Sequence, residues 1–289
     1  MKRRNLIKSL SLLPLTAAMP SRLFGKSEST VSAVETGENI FRSLGVEPLI
    51  NCRGTFTIIG GSIERPEVRA AMEAAAHNFV QYDELGDAVH AKIAEVTQAE
   101  WALVSAGCAA GMKHVTAACV TGGNPEKLIC IPNLTGFEKT EVIIPAGSRN
   151  VYDHSIRNIG VTIIDVNTPE ELVKAVNKKT AMIYIMADDP ADNDAPLSLV
   201  NIVRLTKEQN IPILVDAAAE VLTIPNIHLQ RGAHMVAYSG GKAICGPQCA
   251  GFVIGQKDIL MSAWQASAPH HGPCRDNKVG REEMLGMLA

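Results

Sequence analysis

The chain has 289 residues, 46% hydrophobic and 20% charged, and its 27 basic and 30 acidic side chains leave a formal charge of −3. That is enough apolar material for a sizeable core, and it excludes disorder as the main state. The near-neutral balance and the 4% aromatic content speak against a dedicated nucleic-acid binder, which needs a positive field and stacking platforms.

The chain begins with Lys2, Arg3 and Arg4, followed by an apolar stretch from Leu6 to Ala18 that Lys8 and Pro14 interrupt. This stretch is too short and broken to span a bilayer, so no stable membrane anchor is expected. The pair Arg3–Arg4, the weakly apolar core and the small residues Thr16, Ala17 and Ala18 resemble a twin-arginine export signal. Residues 1–25 are therefore read as a signal peptide, 26–44 as a linker and 45–289 as the folded domain, which implies a periplasmic protein. A basic tail on a cytoplasmic protein is the alternative.

From Glu64 onward, helical and extended patterns alternate. Val68, Met72, Ala75 and Phe79 recur at helical spacing, as do Ala88, Ile93, Val96 and Ala99, and Ala109 to Val120 continues as a helix. Apolar runs lie at Trp101–Val104, Val142–Ile144, Val161–Val166, Ala181–Met186, Ile211–Val215, Met235–Tyr238 and Gly251–Ile254. Between several of them lie amphipathic stretches, Pro169–Asn177 and Leu197–Gln209. Apolar strands alternating with helices predict an α/β three-layer sandwich, a mostly parallel sheet covered on both faces. Ligands in such sheets bind beyond the carboxyl ends of the strands.

The seven cysteines form no CxxC or Cys/His pattern, so mostly buried free thiols are expected and no metal site. The pair His270–His271 reads as a polar loop, because adjacent side chains point apart, and Asp188–Asp189 before Pro190 reads as a turn.

Three strand ends carry chemistry. Asp216 ends a wholly apolar run, Lys242 sits in the turn Ser239-Gly-Gly-Lys242, and Ser105-Ala-Gly-Cys-Ala-Ala110 opens a helix with small residues. A helix start offers free N–H groups to a phosphate. A lysine amine can link to an aldehyde, and an acid can keep a pyridine nitrogen protonated. These are the parts that pyridoxal 5'-phosphate requires, and the small Ala218 would let its ring lie flat.

The string Ser239–Gln248 followed by Ala250–Gly255 resembles the cofactor-lysine segment of the selenocysteine synthase (SelA)-like family. Ile50–Gly54, Gly86–Val104 and Val215–Glu220 match that family in the same order. The resemblance spans Gly45 to Ala289 and implies the large domain of fold type I, aspartate aminotransferase-like, pyridoxal-phosphate enzymes. It implies Lys242 as the catalytic Schiff-base lysine, Asp216 as partner of the ring nitrogen, and Ser239 with the backbone of Gly107, Cys108 and Ala109 as phosphate contacts. Arg53 is implied as a substrate-anion contact, and a homodimer is expected.

The family includes seryl-tRNA(Sec) selenium transferases and amino-sugar-acid ammonia-lyases. The neutral charge, the short N-terminus and the export signal favour a lyase performing α,β-elimination on an amino acid or amino sugar acid, with transferase activity as the alternative. Family members continue into a smaller C-terminal domain after the helix that begins near Lys278. The sequence ends within that helix, so the apolar face of Met284, Leu285 and Leu288 is expected to lack cover. An inactive truncated family member is therefore a further alternative.

Overall fold

The computed structural model describes residues 39–187 and 194–289. The chain divides into two compact units, residues 1–51 and 52–289. The described part of the first holds one helical turn, Ile40–Ser43, whose start is capped by Asn39 Oδ1 accepting from the Phe41 N–H at 3.1 Å. The proposed signal segment and Asp188–Asp189 lie outside the described residues.

The second unit is built on one seven-stranded sheet. Its strands are β1 (Trp101–Ser105), β2 (Glu141–Pro145), β3 (Thr162–Val166), β4 (Thr180–Met186), β5 (Ile213–Asp216), β6 (Met235–Ser239) and β7 (Gly251–Gly255). Their spatial order is β1-β7-β6-β5-β4-β2-β3, parallel throughout except at β7, which runs against both neighbours. Every predicted apolar run forms one of these strands. β5 and β7 are buried along their whole length and β4 except at Met186, as strands covered on both faces must be; the edge strand β3 exposes Thr162 and Asp165.

The helices that matter for the site are α1 (Pro66–Ala76), α2 (Tyr82–Thr97), α3 (Cys108–Thr121), α4 (Pro169–Ala175), α5 (Leu199–Thr206), α6 (Lys257–Ala266) and α7 (Arg281–Leu288). Two crossovers carry plain start signals. Thr168 Oγ1 accepts from the Glu171 N–H while Glu171 Oε2 accepts from the Asn167 N–H, and Ser198 Oγ accepts from the Asn201 N–H. Helix α3 is buried nearly all round, which is why its sequence shows no polar face. It approaches the sheet closely because of two glycines. A Cβ on Gly111 would lie 2.6 Å from Val253 Cγ2, and one on Gly251 would lie 2.9 Å from the Cys108 backbone nitrogen.

Three expectations are corrected. The apolar face of α7 is covered: the helix packs on α1, with Met284 and Met287 buried and Leu285 and Leu288 half-buried. Arg281 donates to the carbonyls of Ala75 and Ala76 at the end of α1. Phe79 and Val96 continue a helical spacing but not a core face. Phe79 lies past the end of α1 and is 99% exposed, its ring 5.7 Å from the Arg281 guanidinium, and Val96 is on the outer side of α2. All seven cysteines are free, yet only Cys108 and Cys274 are buried; Cys52, Cys130 and Cys249 are exposed. Apolar neighbours in sequence did not carry these three inward, because they sit in loops.

Two imidazoles are sealed in this core. His90 on α2 stands edge-on to Trp264 at 5.1 Å, and burial lowers its pKa to about 4. His114 on α3 is lowered to about 4 by burial and by the adjacent Lys113, itself paired with Asp276 at 2.8 Å. Both are neutral in the folded protein and must charge in acid. The unfolded chain takes up these protons first, so their contribution is complete above pH ~6.5 and declines toward pH ~4. Denaturant titrations should show stability falling across that window, and His90→Phe should flatten the slope by up to one proton. Gly251→Ala should lower stability by about 1–3 kcal/mol through overpacking, read from the denaturation midpoint.

Candidate active site

The carboxyl ends of β4, β5 and β6 meet the loop after β1 around a cavity of about 520 Å³. Its lining includes Gly107, Cys108 and Ala109 at the start of α3, Asp216 and Ala218 after β5, and Ser239 and Lys242 after β6. Residues from three separate stretches of sequence, predicted to share a site, thus line one cavity. Arg53 is exposed, its guanidinium 5.0 Å from the Phe56 ring, and does not line the cavity; Thr57 of the same loop does.

Each corner has a local cause. Gly107 takes φ of +94°, open to glycine and strained for other residues, and no side chain caps the helix it starts. Ser105 Oγ donates to the Gly107 carbonyl at 2.9 Å and holds that turn. The first N–H groups of α3 therefore have no partner within the helix and border the cavity. Lys242 sits in a turn closed by the Cys245 N–H donating to the Lys242 carbonyl at 3.0 Å. That turn is tied down from outside: the Ser62 N–H donates to the Gly241 carbonyl, and the Arg65 N–H to the Cys245 carbonyl. Lys242 Nζ is 5.9 Å from the centre of the Tyr152 ring.

Asp216 is 7% exposed, and both its oxygens are engaged. Oδ1 accepts from Cys108 Sγ at 3.3 Å and from the Ala218 N–H at 3.1 Å, while Oδ2 accepts from the Tyr184 hydroxyl at 3.0 Å. Asn150 Nδ2 donates in turn to the Tyr184 oxygen at 2.9 Å. The Ala218 contact caps a turn, as an Asp after a strand commonly does, but no helix follows there. Burial and the neighbouring Asp216 carboxylate push the Cys108 thiol well up, and burial with the same carboxylate holds the Tyr184 phenol above its usual range. Both groups stay protonated and act as donors to Asp216.

Tyr184, Asn150, Tyr152 and the Glu220–His228 pair escaped the sequence reading. Tyr184 had a usable signal, a lone hydroxyl in a buried apolar strand that must find a partner. Asn150 and Tyr152 lie in irregular turns after β2 that carry no periodicity. His270 Nδ1 lies 3.1 Å from the Trp264 carbonyl and its Nε2 3.4 Å from Asp83 Oδ1, and no group of three His, Cys, Asp or Glu side chains among the described residues is placed to hold a metal.

The aminotransferase class-V family model matches residues 75–270. The chain belongs to that family. It is 31% identical over 261 residues to the D-glucosaminate-6-phosphate ammonia lyase of Salmonella typhimurium, covering 86% of this chain and 68% of that one. A solved structure of D-glucosaminate-6-phosphate ammonia-lyase superposes with a TM-score of 0.78 at 30% identity, over 86% of this chain and 68% of that one. A 5'-C-glycyluridine monooxygenase-decarboxylase from Streptomyces is 29% identical over 86% of this chain and 63% of its own. An L-seryl-tRNA(Sec) selenium transferase from Mannheimia succiniciproducens is 26% identical over 50% of this chain and 36% of its own. The chain thus spans about two thirds of the first two relatives.

This aminotransferase class-V chain is a SelA-like, fold type I, pyridoxal-phosphate-dependent enzyme. The donor set fits the group: an amine in a rigid turn, a buried carboxylate whose position is fixed, and an uncapped helix start all border one cavity. Tyr184→Phe removes the donor to Asp216 Oδ2. It should weaken cofactor binding about tenfold, measured by absorbance titration of the purified protein.

Proposed function

We propose that the chain is a lyase that carries out α,β-elimination on an amino acid or amino sugar acid, with Lys242 as the cofactor-bearing residue and the base. The observation that carries this reading is the meeting of Lys242, the fixed Asp216 carboxylate and the start of α3 in one cavity. The 31% identity to an ammonia lyase supports the reaction class. The near-neutral charge of the chain weighs against a tRNA substrate.

In this reading the N–H groups of Gly107, Cys108 and Ala109 and the hydroxyl of Ser239 would hold the phosphate. Asp216 would hold the proton of the ring nitrogen, and Tyr184 and Cys108 donate to its carboxylate and fix where it sits. Ala218, with nothing beyond Cβ, leaves room for a flat ring. When bound, pyridoxal phosphate draws electrons from the carbon beside the substrate amine and makes its proton removable. Lys242 takes that proton, and Tyr152 stands beside its ammonium.

Exposed apolar side chains flank the lining residues, with Ile58 beside Thr57, Val151 beside Tyr152 and Val221 beside Glu220. This rim supports the homodimer expected from the resemblance. Export to the periplasm by the Arg3–Arg4 signal is part of the same proposal.

Borohydride treatment of the cofactor-loaded protein, followed by peptide mass analysis, should find the reduced cofactor on Lys242. Lys242→Ala should lose both that adduct and all release of ammonia from a panel of amino acids and amino sugar acids. An adduct on another lysine would overturn the assignment, and ammonia-free turnover would overturn the lyase reading.

A further inference from the structure

Two carboxylic acids line the cavity, Asp216 and Glu220. Asp216 is held on both oxygens by Cys108, Ala218 and Tyr184. Glu220 is placed differently. It follows the three alanines 217–219, whose methyl groups leave it without competing polar side chains, and its side chain is 34% exposed. Its Oε2 lies 2.6 Å from Nε2 of His228, whose side chain is only 3% exposed.

The backbone that carries the imidazole is anchored. The His228 backbone N–H donates to Asn226 Oδ1 at 3.1 Å, and Asn226 Nδ2 donates to the Tyr238 hydroxyl on β6 at 2.6 Å. A buried histidine pinned to the sheet thus holds a carboxyl group at the cavity wall. Such a pair can store one proton, and the carboxyl group is the member that borders the cavity. The other polar lining side chains are poorer acids for this task. Thr57 and Ser239 are alcohols and Tyr152 is a phenol, each a weaker class of acid than a carboxyl group, and Lys242 is occupied as the base.

We infer that Glu220 is the acid that protonates the departing β-substituent, and that His228 is its positioning residue and proton store. This rests on the elimination reading above and assigns its leaving group to the hydroxyl class, as in a β-hydroxy α-amino acid. In the step, the Cα–H bond breaks and its proton goes to the Lys242 amine. The electron pair forms the Cα–Cβ double bond. The Cβ–O bond breaks with its pair going to oxygen, and the proton held by the Glu220–His228 pair joins that oxygen to release water. Exchange with solvent returns a proton to the pair and removes one from Lys242.

A leaving group that departs as a stable anion needs no such acid, and this supplies the test. Wild type, Glu220→Gln and His228→Gln, each loaded with cofactor, are assayed for pyruvate and ammonia from both enantiomers of serine and of 3-chloroalanine. In Glu220→Gln, loss of water should slow about 100-fold or more, so the ratio of chloride to water elimination rises by a similar factor. In His228→Gln the ratio should rise less. Cofactor absorbance, the melting temperature and serine binding by spectral titration should stay near wild type, which separates lost acid chemistry from lost folding. Equal loss on both substrates, or no loss on either, overturns the role of Glu220 and leaves the elimination reading standing. A wild type that eliminates neither substrate, and releases no ammonia from the panel of amino sugar acids, overturns both.

Discussion

A carboxylate at the end of a wholly buried strand is costly unless donors surround it, and Asp216 is in that position. Its donors come from three places: Tyr184 on the neighbouring strand, Cys108 at the first turn of α3, and the backbone of Ala218. Satisfying one charge therefore fixes β4, β5 and the start of α3 relative to one another. Those same elements form the floor of the cavity, so the requirement that stabilises the carboxylate also shapes the site. Removing one donor leaves a buried charge partly unsatisfied, which costs more than the bond itself contributes.

Close approach is the second constraint. Helix α3 carries almost no polar face and reaches the sheet only because Gly111 and Gly251 present no side chain at the contact. A Cβ on Gly241 would lie 2.7 Å from Gln248 Cα, so the lysine turn folds on itself equally tightly. The candidate catalytic groups are thereby mounted on backbone that cannot shift far, the preorganisation an active site needs.

Much of this was legible in the order of residues. Continuous apolar runs ended by Asp216, by Ser239-Gly-Gly-Lys242 and by the Ser105–Ala110 turn located both the strands and the edge of the sheet that carries chemistry. Helical spacing misled where it ran past a helix end, as at Phe79, because periodicity does not mark where the backbone turns away. Cover for α7 was invisible for another reason: it comes from α1, some 200 residues earlier in the chain, through Arg281 at the carbonyls of Ala75 and Ala76. Arg53 was read as a substrate-anion contact from its place in a motif, and the residue of that loop that lines the cavity is Thr57.

The sequence by itself determined the alternation of elements and the burial of the strands, and it placed a candidate lysine and acid at strand ends, since these follow from local pattern. Only the tertiary structure decided which side chains answer them. Tyr184 reaches Asp216 across neighbouring strands, and His228 reaches Glu220 across a turn pinned to β6. Such pairings depend on strand order and register, which no local pattern encodes. The near-neutral charge weighed against a nucleic-acid binder and went no further. The register of β4 against β5, with Met186 beside Asp216, placed the acid among its donors.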